Sequence, residues 1–237
     1  MLHGILPASG SATRMRGLPK FLLPCDDNYL SLLERHIDNL LQHCETIWVP
    51  VRPDLVSLVE SLRIPSERVV LLTMTTKSMT ETVRRVVNLS SGNRFLMAMP
   101  DTYFHGELPY QYLSESRDDL NLACWNIRPE QYGKLGQVDI SMDEGSSNFG
   151  AIFGSEDKNP SCRFPHSWGA MAFNRNIMQW ASDDMPHTGH IIPELLDLGI
   201  RVGAKTINGE YYDCGTPSEY LSMLERTSVG RSGHGVP

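Results

Sequence analysis

Residues 3–13 read HGILPASGSAT: a short apolar run over 3–7 breaks into small and polar residues from Ala8 to Thr13. That is the pattern of a strand, a tight loop and then a turn or helix. The chain beyond it repeats the alternation. Leu30, Leu33, Ile37, Leu40, Leu41 and Cys44 predict an amphipathic helix over 29–44. TIWVPV at 46–51 is rich in β-formers, and Pro53-Asp54 opens a second helix marked by Leu55, Val56, Leu58, Val59 and Leu62. A strand at 69–74, a helix at 79–89 and the apolar strand RFLMAM at 94–99 complete a β-α-β-α-β-α-β series. Strands too apolar to alternate faces are buried on both sides. The expectation is a Rossmann-like three-layer α/β sandwich with a mostly parallel, mixed sheet.

After residue 105 the pattern loosens. Strands are expected at 120–127 and 169–174, polar glycine-rich connections at 133–161, a helix at 190–198, a strand at 201–207 and a last helix from Pro217 to Thr227. With no internal repeat and no long linker, one domain over 1–227 is expected, followed by a mobile tail over 228–237. The 237 residues are enough to bury a core unaided, and 41% hydrophobic with 21% charged residues argues against disorder. Lys plus Arg number 21 against 28 Asp plus Glu, a net charge of −7 that disfavours sequence-independent nucleic-acid binding. No apolar run approaches the ~20 residues of a membrane span, and MLHGILP lacks the basic start of a signal peptide. The cysteines at 25, 44, 124, 162 and 214 are dispersed, without a Cys-x-x-Cys pair. They read as reduced thiols of a cytoplasmic protein rather than a disulfide framework or zinc site. His187 and His190 have a spacing that helical metal ligands can use, but no Glu or Asp lies between them, so they read as surface or capping residues.

Three stretches carry chemistry. The loop of Ala8, Ser9, Gly10, Ser11, Ala12 and Thr13 would let backbone N–H groups approach a phosphate closely, and Arg14 and Lys20 put two cations beside it. It is neither a Walker A loop nor a dinucleotide fingerprint, and a plain turn with two surface cations also accounts for it. Asp101, in Met99-Pro100-Asp101, ends the RFLMAM strand, where open α/β sheets bind ligands. A carboxylate there would hold a hard divalent cation, or serve only as a loop cap. Asp213, in Tyr212-Asp213-Cys214-Gly215-Thr216-Pro217, ends a β-rich segment ahead of a helix with Pro in its first turn. Two such carboxylates brought together would make a magnesium site.

In this order and spacing, the three stretches resemble the nucleotidyltransferases that make sugar nucleotides, the glucose-1-phosphate thymidylyl-, uridylyl- and cytidylyltransferases, over roughly residues 2–225. The family's small-residue loop running into Thr-Arg and Pro-Lys is matched by Ser9 to Arg14 and Pro19-Lys20. Its Gly-Asp strand end is matched by Pro100-Asp101, and its Asp-x-Gly-Thr-Pro by Asp213 to Pro217. Its Tyr-Gly, Glu-Lys-Pro and Gly-x-Tyr-x-Phe correspond to Tyr132-Gly133, to Asp157-Lys158-Asn159-Pro160 and to Gly169-Ala-Met-Ala-Phe173. The resemblance implies the nucleotide-diphospho-sugar transferase fold and transfer of a nucleoside monophosphate from an NTP to a phosphorylated acceptor, with a sugar 1-phosphate the leading choice. Pyrophosphate would leave. It implies Mg²⁺ on Asp101 and Asp213, the triphosphate on the 8–13 loop, Asp101, Arg14 and Lys20, and the acceptor near Gly133, Asp157 and Lys158, with Lys158 orienting its phosphate. The chain also departs from the family. Ala12 replaces a second loop glycine, Ser78-Met79-Thr80-Glu81 stands for the base-holding Gly-Thr-Ala, no upstream Gln is found, and Asp157 replaces a Glu. Base and acceptor therefore stay open. So do a cytidylyltransferase acting on a non-sugar phosphate, a non-catalytic nucleotide-binding homologue, and whether the chain forms a homo-oligomer. A dinucleotide-dependent oxidoreductase fits the alternation but lacks its glycine fingerprint.

Overall fold

The computed structural model describes residues 1–10, 17–65 and 67–229, with backbone alone at 228 and 229. The first hundred residues form β1 (Leu2–Ile5), α1 (Leu32–Leu40), β2 (Thr46–Val51), α2 (Val56–Glu60), β3 (Val69–Thr73), α3 (Met79–Leu89) and β4 (Arg94–Ala98), the alternation expected from the sequence. The rest adds β5 (Thr102–Gly106), α4 (Tyr110–Glu115), β6 (Leu120–Asn126), β7 (Gly136–Met142), β8 (Phe149–Asp157), β9 (His166–Asn174), α5 (Ile191–Asp197), β10 (Val202–Thr206), β11 (Gly209–Asp213) and α6 (Pro217–Val229). Nine strands make one sheet in the order β3-β2-β1-β4-β9-β6-β10-β8-β7, while β11 and β5 pair as a separate ribbon. Strands β3, β2, β1 and β4 are parallel. Strand β9 enters antiparallel between β4 and β6, β6 and β10 are parallel, and β8 and β7 close the far side antiparallel. The sheet is mixed as expected, its parallel run concentrated in the first half.

Strand β4 shows why its sequence is apolar throughout. Successive side chains point to opposite faces: Leu96 and Ala98 join the core with α1, α2 and α4, whereas Phe95 and Met97 join the core with α3 and α5. A third cluster, with Cys25, Leu32, Tyr103, Tyr212, Cys214 and Met223, seats α6 against the β5–β11 ribbon. All five cysteines are free and buried, and no helix of the described residues is long and apolar enough to cross a membrane.

Three expectations need correction. Helix α1 starts at Leu32 rather than 29 because Tyr29 sits at φ 60, left-handed backbone that ends any helix, and because Ser31 and Glu34 form a reciprocal capping box. The expected connection over 133–161 is largely a hairpin, β7 with β8, paired from Gly136↔Asp157 to Met142↔Gly150. Helix α6 runs past Thr227 to Val229; residues 230–237 of the expected tail lie outside the described residues.

Gly169 on β9 sets how closely the ribbon packs on the sheet. A Cβ there would stand 2.4 Å from Tyr211 Cε2 and 3.0 Å from the Trp125 ring. Tyr211 cannot retreat, because it is buried and packed on Phe104 and Trp125 at centroid distances of 6.0 and 5.4 Å. Gly169→Ala is expected to cost about 1–3 kcal/mol of overpacking. Urea unfolding should show a lower midpoint with an unchanged slope.

Candidate active site

Strand β1 pairs with β2 on one side and β4 on the other, so the strand order reverses at β1 and β4. Crevices outside the carboxyl ends of such strands are where open α/β sheets bind ligands. After β1 the chain stays extended, with Ala8 donating its N–H to Pro50 O at 3.0 Å. The Ser9 hydroxyl meets that of Thr82 on α3 at 3.0 Å, and Arg52 donates to Gly10 O at 3.4 Å. Ala8, Ser9 and Gly10 thus wall a cleft of about 570 Å³ that also takes in Lys20, Arg52, Lys77, Ser78 and Asp101. The expected phosphate-loop residues Ser11, Ala12, Thr13 and Arg14 lie outside the described residues.

The structure pairs Lys20 with Asp101, a contact the sequence did not announce. Lys20 opens a 3₁₀ turn, Lys20–Leu22, and its Nζ stands 3.1 Å from Asp101 Oδ2 with only 11% of the side chain exposed. An ammonium so covered needs an anionic partner, and Asp101 supplies it. Asp213 arrives on the ribbon: the antiparallel register sets it against Thr102, and the Cys214 amide donates to Asp101 O at 3.1 Å. Two carboxylates distant in sequence, one in the turn before β5 and one at the end of β11, are thereby brought to the same part of the cleft. Burial, and then the Asp213 and Asp101 charges, push the Tyr211 phenol well above its ordinary range. It stays protonated beside them.

A second lobe of about 160 Å³ meets the first at Met79, Met99 and Asp101, and is lined further by Lys134, Asp157, Lys158, Trp168, His187 and Asp213. Lys158 reaches it from left-handed backbone, φ 50, its amide donating to Leu135 O at 3.2 Å. For a non-glycine residue that conformation is uncommon and costs about 1–3 kcal/mol. Gly133 does not line the lobe. It turns the chain at φ 74 with the site of its Cβ 3.0 Å from Pro160, and so aims Lys134 and Leu135 inward. Asp157 is engaged by His187 Nε2 at 3.0 Å and His190 Nε2 at 3.4 Å. Burial lowers the His187 pKa, against the pull of Asp157.

Sequence reasoning missed Arg52, Lys77, Lys134, Trp168 and His187. The one local signal was Lys77-Ser78 at the head of α3, where Ser78 caps the helix by accepting from Glu81 N at 3.0 Å. For a chain of net charge −7, the two lobes gather five cations among the described residues: Lys20, Arg52 and Lys77 in one, Lys134 and Lys158 in the other. A concave wall of this sign concentrates anions. The carboxylates at its centre supply hard oxygen donors, a set that suits Mg²⁺.

No protein-family model matches the sequence, and no curated protein matches it. Solved structures do match the fold. A UTP-bound UGPase from Acinetobacter baumannii has a TM-score of 0.75 at 16% identity, covering 97% of this chain and 94% of that one. A UDP-glucose pyrophosphorylase in complex with UDP-glucose has 0.78 at 14% identity, covering 98% and 100%. The inositol-1-phosphate CTP transferase from T. maritima has 0.72 at 14%, covering 99% and 98%. The chain has the fold of these nucleotidyltransferases along its whole length.

Behind Asp101, His36 of α1 holds the chain in place. It is fully buried, with Nε2 2.8 Å from Thr102 O and Nδ1 hydrogen-bonded to the Tyr110 hydroxyl. The carbonyl only accepts, so Nε2 carries the proton and Nδ1 accepts from Tyr110. Burial lowers the His36 pKa to about 4 from 6.5. Between those values the unfolded chain binds a proton that the folded chain does not, so stability is lost as pH falls through this window. Acidification from pH 7 to 4 should cost the wild type about 3 kcal/mol more than a His36→Gln variant, measured by urea titration at each pH.

Proposed function

We propose that the chain is a Mg²⁺-dependent nucleotidyltransferase that joins a nucleoside monophosphate from an NTP to a phosphorylated acceptor, most simply a sugar 1-phosphate. One observation carries the reading: two cation-lined lobes meet at the Asp101–Asp213 end of the sheet, one walled by the loop after β1 and the other by Lys158. A transfer between two phosphorylated reactants needs two anion sites that share one charge-neutralising centre. The folds of a UTP-bound UGPase and of a UDP-glucose pyrophosphorylase support it.

In this reading an oxygen of the acceptor phosphate attacks the α-phosphorus of the NTP in line. The bond from that phosphorus to the β-phosphate oxygen breaks, and pyrophosphate leaves. The nucleophile is already an oxyanion at neutral pH, so no side chain has to remove a proton. The protein's part is positioning and charge compensation. Ala8, Ser9 and Gly10, with Ser11, Ala12 and Thr13 beyond them, cradle the triphosphate. Lys20 and Arg14 meet its charge, with Arg52 and Lys77 nearby. Asp101 and Asp213 would hold Mg²⁺, which supplies neutralisation of the phosphate oxygens when bound. Lys158 grips the acceptor phosphate, while Gly133 and Asp157 shape that end of the cleft.

A screen of four NTPs against a panel of sugar 1-phosphates, with inositol 1-phosphate as a further arm because of the T. maritima neighbour, should release pyrophosphate for at least one pair. Nucleotide binding without release from any pair would make the chain a non-catalytic homologue. Asp101→Asn and Asp213→Asn should each abolish Mg²⁺-dependent turnover while keeping the wild-type circular dichroism. Near wild-type rates at saturating Mg²⁺ would remove that residue from the metal.

Lys20→Ala removes a preorganised cation and should slow turnover about 10²–10³-fold; a loss under about fivefold returns Lys20 to a purely structural partner of Asp101. Lys158→Ala should raise the KM for the acceptor far more than that for the NTP. Equal weakening of both substrates would take Lys158 out of the acceptor site.

A further inference from the structure

At the second lobe Asp157 faces two histidines, His187 and His190, to which the proposed nucleotidyl transfer gives no task. His187 precedes the 3₁₀ turn Thr188–His190, closed by His190 N donating to His187 O at 3.1 Å. With three residues per turn, side chains three apart eclipse, so the two imidazoles stand side by side, ring centroids 4.4 Å apart. Asp157 at the end of β8 faces both, with Oδ1 3.0 Å from His187 Nε2 and Oδ2 3.4 Å from His190 Nε2. One ligand atom from each of the three residues lies within 4.8 Å of the other two.

We propose that Asp157, His187 and His190 bind a divalent transition-metal ion of the zinc class, at a site separate from the Asp101–Asp213 pair. Two imidazoles and a carboxylate are the donors that zinc and its neighbours prefer over Mg²⁺. Zinc bonds of about 2.0–2.2 Å place adjacent ligands of a tetrahedron about 3.3 Å apart; the histidine–carboxylate separations of 3.0 and 3.4 Å lie on either side of that value. The second observation concerns hydrogen bonding. His190 Nε2 is buried and makes no hydrogen bond among the described residues, although it lies beside the carboxylate. A histidine kept only to brace β8 would be expected to use that nitrogen, since burying an unpaired polar atom costs stability. As a metal ligand the nitrogen is satisfied. Asp157 and His187 both line the lobe, so a fourth ligand would come from the cleft side, from water or from a hydroxyl or phosphate oxygen of a bound molecule.

The site is tested without any nucleotidyl-transfer assay, so its failure is distinct from failure of the proposed reaction. The full chain, stripped of metal and held in excess Mg²⁺, is titrated with Co²⁺ as a coloured stand-in for Zn²⁺. The expected result is visible d–d absorption saturating at one equivalent and bleached by Zn²⁺. Asp157→Asn and His190→Gln should each weaken Co²⁺ binding by at least the roughly 10–100-fold that even outer-shell changes cost, while Asp101→Asn leaves it unchanged. Absence of the bands, or bands unaltered in Asp157→Asn or His190→Gln, overturns the site. Should a variant fail to fold, imidazole NMR of the wild type decides. Substoichiometric Co²⁺ must broaden the His187 and His190 signals before those of the other histidines; broadening spread evenly over all of them also overturns it.

Discussion

The β5–β11 ribbon is the constraint on which the cleft depends. Its antiparallel register sets Asp213 opposite Thr102, and the Cys214 amide ties the next residue to the Asp101 carbonyl. A slip of one residue would turn Asp213 to the other face, because side chains alternate along a strand. Several contacts forbid that slip. Tyr211 packs against both rings of the stacked Trp125–Phe104 pair, and its carbonyl accepts from Gln131 at 3.0 Å and Arg128 at 3.3 Å. The guanidinium of Arg128 also lies over the Tyr212 ring. On the other strand, His36 fixes the Thr102 carbonyl. Core packing thus sets where two carboxylates meet.

Packing carboxylates together leaves a surplus of negative charge that cations must offset. Lys20 does so for Asp101, in a pair whose side chains are 11% and 21% exposed. Much of the Coulomb attraction of a pair this covered is cancelled by desolvation, so it is a weak source of stability. Its better-defined effect is positional. The pair holds an ammonium in the first lobe beside Asp101, where the two lobes meet, with Arg52 and Lys77 on one side and Lys134 and Lys158 on the other. In the proposed reaction the same charges that settle the folded chain would face the phosphates.

The parts of the fold legible in the sequence are those with two buried faces. RFLMAM could be read as a strand because Phe95 and Met97 feed one core while Leu96 and Ala98 feed the other. The β7–β8 hairpin was not, because Ser141, Met142, Phe153 and Glu156 are exposed. Its one apolar stretch, Ala151-Ile152-Phe153, sits between glycines in a polar surround and reads as a connection, so long-range pairing supplies the order that local pattern lacks. The site divides in the same way. Lys20, Asp101, Asp213 and Lys158 stand at strand ends or beside turns with recognisable punctuation, and the structure brings all four to one cleft. Arg52, Lys77 and Lys134 carry no such mark; only the third dimension places them. His187 and His190 were set aside for want of an acidic residue between them, yet the carboxylate comes from Asp157 at the end of β8.

That last arrangement gives the second lobe two donor chemistries, because Asp101 and Asp213 line it together with Asp157 and His187. Asp101 and Asp213 offer oxygen alone, and a small hard ion such as Mg²⁺, which keeps much of its water, tolerates oxygen donors best. Asp157 with His187 and His190 offers imidazole nitrogen, for which first-row transition ions outcompete Mg²⁺ by ligand type rather than by charge. A single site built from mixed donors would be captured by whichever transition ion was most available. Keeping the two donor sets on different residues avoids that capture: the proposed Asp157–His187–His190 site would take a zinc-class ion and leave Asp101 and Asp213 to the hard cation that the proposed transfer uses. The hairpin that the sequence concealed is then more than a cover for the sheet, because its last residue, Asp157, supplies the carboxylate of the proposed zinc-class site.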